Sequence, residues 1–196
     1  MGRKLPTFDM TVRKLSLLDI QRIISNLVRL QGEDRRLRFG MICTDDYITD
    51  YVTKSFEQES QWFGIDHIDG HLVATCHVSI FNGEGELGCC VEEDYRGEGA
   101  AQLMFDRAVT WLRVRGITNV FMHCLSENGA MKHIARKNDM VLVSEHGETD
   151  AQVQVEPATI STYMEEAYAN RIALYDMYWK NNYRILDFYW SRHHTN

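Results

Sequence analysis

With 196 residues, 44% of them hydrophobic, only 2 prolines and no Pro- or Gly-rich linker, the chain reads as one compact domain and not as a disordered or fibrous protein. The net charge of −7 is uneven: residues 1–40 carry nine basic and four acidic side chains, and the remainder carries twelve and twenty-four. That acidic body disfavours a nucleic-acid partner, which needs a basic footprint, and suits either a cationic partner such as an amine or simple solubility.

In chain order, Phe8, Met10 and Val12 alternate with polar residues and predict a first strand over 8–14. Helical spacing of Leu17, Ile20, Ile23, Ile24, Leu27, Val28 and Leu30 predicts an amphipathic helix over 17–30. The charged segment Gly32–Gly40 reads as a solvated loop. Thr44-Asp45-Asp46 caps a helix carrying Tyr47, Ile48, Tyr51 and Val52. From Trp62 to Ile68 and from Leu72 to Phe81 the pattern is that of a hairpin closed at Asp69-Gly70, and a turn over 82–85 leads to a third strand over 86–91.

The stretch from Leu87 to Met140 organises the rest. An apolar run ends at Val91, an acidic loop follows, and Arg96-Gly97-Glu98-Gly99-Ala100-Ala101 opens a helix over 101–115 that ends at Gly116. A strand that turns straight into a helix aims the helix's unpaired N–H groups and positive dipole end at one spot, which suits an anion. Gly97 and Gly99 permit positive φ and a close approach by a diphosphate, Ala101 lets the helix sit near the sheet, and Arg96 adds a cation. A parallel strand over 118–125, a helix capped by Ser126 and running to Arg136, and a hairpin of 141–145 with 151–155 complete the body. The tail, 158–196, has helical spacing with many aromatics, which calls for burial on its own domain or in a homodimer interface. It lacks the Lys-rich face of a lipid-binding helix.

The pattern Arg/Gln-x-x-Gly-x-Gly/Ala, present as Arg96, Gly99 and Ala101, resembles the pyrophosphate loop of the GNAT superfamily of acyl-CoA-dependent N-acyltransferases. Ser126-Glu127-Asn128 is similar to that family's Asn-containing segment beside the pantetheine arm. The resemblance implies an α/β (α+β) fold of three layers, with a mixed, mostly antiparallel sheet of about six or seven strands, a core over 8–157 and an added C-terminal helix, all in one domain over 1–196. It implies acetyl-CoA as co-substrate, held by Cys90, Val91, Arg96, Gly97, Glu98, Gly99, Ala100, Ala101 and Asn128. The implied donor to the acyl carbonyl is a backbone N–H near Cys90 or Val91, and the resemblance implies, as the alternative to a solvated loop, that Arg35, Arg36 or Arg38 lies along the acceptor groove. One departure is evident: seven residues after Asn128, where many members carry a tyrosine that protonates the leaving thiolate, this chain has Ala135.

Transfer to an amine needs a base, for which Glu86 stands first and His123 second, and a proton donor, for which His133, Cys124 or water serves. No base is dedicated to Cys124 as a nucleophile, and His123, Cys124 and His133 have poor zinc spacing, so no metal is expected. The expected function is transfer of the acetyl group to a primary amine on a small molecule, peptide or protein. The alternatives are a non-catalytic acyl-CoA-binding protein, and an interaction protein that works through the aromatic tail.

The opening residues carry no apolar core of about 7–15 residues such as a secretory signal has, and no apolar run reaches about 18 residues. Five cysteines without Cys-x-x-Cys spacing point to reduced thiols. A soluble, cytoplasmic protein with no membrane association is therefore expected.

Overall fold

A computed structural model of the protein describes residues 10–193; Phe8 lies outside them, as does the side chain of Phe188. Strand β1 (Val12–Leu15) leads through a 3-10 turn at Leu17–Asp19 into α1 (Ile20–Arg29). Ser16 and Asp19 form a reciprocal capping box there, each side chain accepting from the other's backbone N–H region.

The charged segment expected as a loop is instead helix α2 (Gly32–Phe39). Its ends are glycines with positive φ, +49° at Gly32 and +72° at Gly40. Glu33 and Asp34 sit in its first turn and Arg36 and Arg38 in its last, as the helix dipole prefers. Arg35 donates to the carbonyls of Val28 (2.6 Å) and Leu30 (2.9 Å) and so satisfies the end of α1. Helix α3 (Asp45–Ser55) is capped by Thr44, as its sequence predicts.

Strands β2 (Ser60–Asp66) and β3 (Leu72–Phe81) form the first hairpin. β2 stops at Asp66, two residues earlier than expected, because Asp66 is bound by Arg13 and Arg22, and residues 67–71 form a loop held by His67 N–H to the His71 carbonyl (2.8 Å). Asn82 (φ +51°) and Gly83 (φ +81°) make a two-residue turn into β4 (Glu84–Val91). Helix α4 (Ala100–Arg113) then crosses to β5 (Asn119–Leu125), and α5 (Gly129–Lys137) leads to β6 (Val141–Glu145) and β7 (Glu148–Gln154), joined at His146-Gly147. The cap of α5 is Asn128 and not Ser126, whose hydroxyl donates instead to the Glu148 carbonyl.

The seven strands form one open, mixed sheet in the order β1-β2-β3-β4-β5-β7-β6, antiparallel throughout except for β4 with β5. Each face carries a core. One packs Phe63, Val78, Leu87, Met104, Phe105, Trp111 and Met122 under α4, and the other packs Leu15, Ile23, Leu27, Ile48, Val52 and Trp62 under α1 and α3. Neighbours in sequence serve opposite cores, as strand pleating requires; Cys89 belongs to the first and Cys90 to the second.

The tail is helix α6 (Ile160–His193), and the aromatics described on it are not buried on the domain. It docks on β1 and α4 through a polar stripe: Glu166 pairs with both Lys14 and Arg107, Asn170 accepts from Arg107 (2.6 Å), and Lys180 donates to the Asp66 carbonyl (2.9 Å). Tyr163, Tyr168, Tyr175, Tyr178, Trp179 and Trp190 are exposed. Among the described residues no helix is long and apolar enough to cross a membrane.

A buried ion cluster locks the N-terminal half. Arg13 grips Asp19 with two hydrogen bonds (2.7 and 3.0 Å) and Asp66 through Nε, and Arg22 bridges the same two carboxylates. Burial alone would raise the Asp19 carboxyl, but the Arg13 hydrogen bonds, the Ser16 N–H and the guanidinium charge outweigh it and bring it down to about 2. The unfolded value is about 3.9. Stability from Asp19 is therefore fully present above about pH 4 and lost as pH falls toward 2. Asp19→Asn should lower stability at pH 7 by roughly 3–5 kcal/mol, since it leaves Arg13 undercompensated. Urea titrations at pH 7, 4 and 2.5 check this, with the variant losing less than the parent over the last interval.

Candidate active site

Strands β4 and β5 pair only at Glu84, Gly85 and Glu86 with Asn119, Val120 and Phe121. Beyond that point β4 stays with β3 and β5 with β7, so the two diverge toward their C-terminal ends. The N–H of Glu92 donates to the Val73 carbonyl (2.9 Å), and strand alternation then points the N–H groups of Gly88 and Cys90 at β3. Those of Leu87, Cys89 and Val91 face the gap. Of the two donors expected near the acyl carbonyl, Val91 faces the gap and Cys90 does not; Cys89, with the opposite parity, takes its place.

At the mouth of the gap lies the predicted anion loop. Gly97 (φ +78°) and Gly99 (φ +89°) occupy the left-handed region, Gly99 is the N-cap of α4, and no atom lies within 4 Å of where a Cβ on either would stand. The first intrahelical bond runs from Leu103 N–H to Gly99 (3.0 Å), so the N–H groups of Ala100, Ala101 and Gln102 precede any carbonyl of the helix that could receive them. Ala100, and not Ala101, is the small residue packed against the core, and Leu103 is exposed. Glu98 is exposed. The Arg96 guanidinium is held by Asp34 (2.8 Å) and by the Val91 carbonyl (3.0 Å), which fastens the loop to α2. Asn128, nearly buried, receives the Met131 N–H (3.0 Å) and donates to the Leu37 carbonyl (3.3 Å), so its amide joins α5 to α2.

Where the strands part there is a cavity of about 170 Å³, whose lining includes Arg38, Tyr47, Tyr51, Glu86, His123 and Met131. A larger hollow, about 410 Å³, lies at the far end of the strands around Glu84, Asn119 and Val141 and holds none of the candidate catalytic groups. Besides Cys124, the cavity lining includes two of the other three catalytic candidates, Glu86 and His123. Glu86 is exposed at the last paired position of β4. His123 stands opposite Asp150 of β7, with Nδ1 2.7 Å from its carboxylate. If Nδ1 carries the proton donated to Asp150, Nε2 keeps a free lone pair, with Glu148 3.7 Å away. His133, the third candidate, is exposed on α5 and does not line the cavity.

Ala135 is buried in the core, and Met131, one turn earlier, is the α5 side chain that reaches the cavity. Cys124 also lines the cavity but alternates with His123 on β5, and burial pushes its thiol up, which does not suit a nucleophile. Residues that the sequence did not single out complete the cavity wall. Tyr51 stands 2.7 Å from His77 Nδ1, and His77 stacks on Trp62 (4.5 Å between ring centres). Burial and the Arg38 charge push His77 down to about 3, so the imidazole is neutral. Away from the gap, the ligand atoms of His67, Asp69 and His71 lie within 4.8 Å of one another, with the Asp69 carboxylate held by both imidazoles.

Comparison with known proteins agrees with this geometry. Residues 26–139 match the family model described as the acetyltransferase (GNAT) family. A search of curated proteins finds no significant match. Among solved structures, the GNAT domain of S. lividans PAT aligns with a TM-score of 0.62 at 19% identity, over 74% of this chain and 89% of its own. The ribosomal-protein-alanine N-acetyltransferase from Brucella melitensis gives 0.60 at 11% identity, over 74% and 99%. The PaiA N-acetyltransferase from Thermoplasma acidophilum, in complex with coenzyme A, gives 0.55 at 15%, over 73% and 97%. These likenesses establish the fold, and with the family match over more than half its length the chain belongs to the GNAT family of acetyltransferases.

Proposed function

We propose that the protein is an N-acetyltransferase that transfers the acetyl group of acetyl-CoA directly to a bound primary amine. The observation that carries this reading is the divergence of β4 from β5 with the open N-terminus of α4 at its mouth. The residues present fit coenzyme A: the Gly97–Ala101 turn offers positive-φ glycines, free space and the N–H groups of α4 to a diphosphate, and the unpaired edges of the gap offer donors to an extended amide chain. Acetyl-CoA supplies an activated thioester. The N–H groups of Cys89 and Val91 face the place where carbonyl charge would grow. His123, oriented by Asp150, removes the proton from the amine, with Glu86 beside it to attract a cationic acceptor.

The acceptor is a primary amine on a small molecule or on a protein; solved neighbours named as ribosomal-protein-alanine N-acetyltransferases support an amine acceptor in this fold. The five free thiols suit a reducing, cytoplasmic setting. The exposed aromatic face of α6 is the surface on which we expect a homodimer to form. The second reading, a non-catalytic acyl-CoA-binding protein, is favoured by Ala135 at the position of the usual proton donor. Acceptor-dependent release of CoA separates the two readings.

Gly99→Trp and Arg96→Glu should each weaken acetyl-CoA binding by about 100-fold or more in calorimetric titration while the far-ultraviolet dichroism is kept; unchanged affinity in both refutes the site. His123→Ala should lower kcat by roughly 10²–10⁴ with little change in acetyl-CoA affinity, and added imidazole should restore part of the rate. A full rate in that variant would remove His123 from the mechanism.

A further inference from the structure

Helix α2 carries three arginines, of which Arg38 lines the cavity, and the other two have carboxylate partners in the protein. Arg35 pairs with Asp45 (2.7 Å), and Arg36 with Glu33 (2.6 Å) and Glu127. Arg38 has none: among the described residues no carboxylate pairs with it, its Nε is buried without a hydrogen-bond partner, and its one side-chain contact of that kind is a long one, 3.4 Å from Nη2 to the Tyr51 hydroxyl. A cation withdrawn from water without a counter-charge is costly and is kept where something supplies that charge.

The seat of Arg38 is built from several directions. Its guanidinium lies 5.1 Å from the Phe39 ring centre and 5.9 Å from that of Tyr51. Tyr51 is fixed in turn by His77, and His77 by stacking on Trp62. On the strand side the guanidinium rests on Gly88 of β4, where a Cβ would come within 2.9–3.0 Å of Nη1, Cζ and Nη2. The Gly88 backbone is one that any residue adopts, so glycine is needed there for space and not for conformation. The next residue, Cys89, turns its N–H into the gap.

We propose that Arg38 forms a carboxylate-binding subsite of the transfer cavity, made by a half-buried guanidinium over Gly88 that has no carboxylate partner, which recognises a carboxylate carried by the amine acceptor or by the acyl chain. The proposal rests on the acyltransferase reading and deepens it. A planar guanidinium offers parallel N–H donors that match the two oxygens of a carboxylate, and the buried surroundings strengthen the pair. With the acceptor as the source, the substrate class is an amino acid or a peptide terminus with a nearby carboxylate. With the donor as the source, it is a dicarboxylic acyl group such as succinyl.

Two measurements test it. In the first, the parent protein is assayed with acetyl-CoA against amines that differ by one carboxylate, lysine with cadaverine and ornithine with putrescine, and with succinyl-CoA against acetyl-CoA on a shared amine. The carboxylate-bearing member of the acceptor pair or of the donor pair should be preferred in kcat/KM by about tenfold or more. Arg38→Gln and Gly88→Ala should abolish the preference, Arg38→Lys should retain part of it, and the affinity for free CoA should not change. In the second, the Arg38 Nε–H resonance is followed while succinate is added without any CoA. A saturable shift in the parent that is lost in Gly88→Ala is expected. Equal kcat/KM within every pair together with no saturable shift overturns the proposal, as does a preference that survives in both Arg38→Gln and Gly88→Ala. A succinate response in a protein that binds no CoA overturns the transferase reading and keeps the subsite; CoA binding and transfer without any carboxylate effect does the reverse.

Discussion

Everything in the site depends on the one parallel pair in the sheet. A parallel neighbour cannot be reached by a tight turn, so the chain must leave β4, cross over through α4 and return to start β5 from the same end. That crossover sets the N-terminus of α4 at the C-terminal end of β4, where strand ends in open α/β sheets offer a crevice to ligands. Because pairing lasts for three residues and then fails, the crevice continues into the sheet as a slot with main-chain donors on its edge. The helix end supplies positive potential and the slot supplies direction. Neither depends strongly on side-chain identity, which is why neighbours at 11–19% identity keep the same frame.

The walls of the slot depend on ionic and polar contacts between elements far apart in the chain. Arg96 ties the anion loop to Asp34 of α2, Arg36 ties α2 to Glu127 before α5, and Asn128 reaches the Leu37 carbonyl. Helix α2, which buries no residue fully, is thus held at three points, by two ion pairs and one amide hydrogen bond, and carries Arg38 into the cavity as a consequence. Individually exposed pairs of this kind contribute little. Here their number and their convergence on one short helix give it a defined place.

The sheet and the glycine turn into α4 were legible in the sequence because each left a local signature: alternation, Asp-Gly and Asn-Gly turns, and two glycines ahead of an apolar helix. What was not legible depends on partners distant in sequence. α2 has no apolar stripe, and its only local sign was acidic residues followed by basic ones. Asp150 became a partner of His123 through the β5–β7 register, and the choice of Cys89 over Cys90 as a donor into the gap follows from hydrogen-bond parity, which periodicity alone does not reveal. Asn128 was expected beside the pantetheine arm, and the amide contacts it makes in the protein are those of a cap and a brace. The tail's helical spacing was correct, but the stripe that docks is Glu166, Asn170 and Lys180, the side chains a hydrophobic reading assigns to water.

That inversion makes the two long faces of α6 answer differently to the solvent. The inner face is fastened by buried ions, which dissolved salt screens only weakly, whereas the outer face is an aromatic ribbon whose association strengthens in sulfate or phosphate, ions excluded from protein surfaces. A helix of 34 residues is about 50 Å long, more than the span of a small domain. The ribbon is therefore long enough for neighbouring molecules to adhere along it. Preparative choices such as precipitating salts, mild chaotropes or non-ionic detergent act mainly on that ribbon, and they alter how the protein behaves in bulk before they alter how it folds.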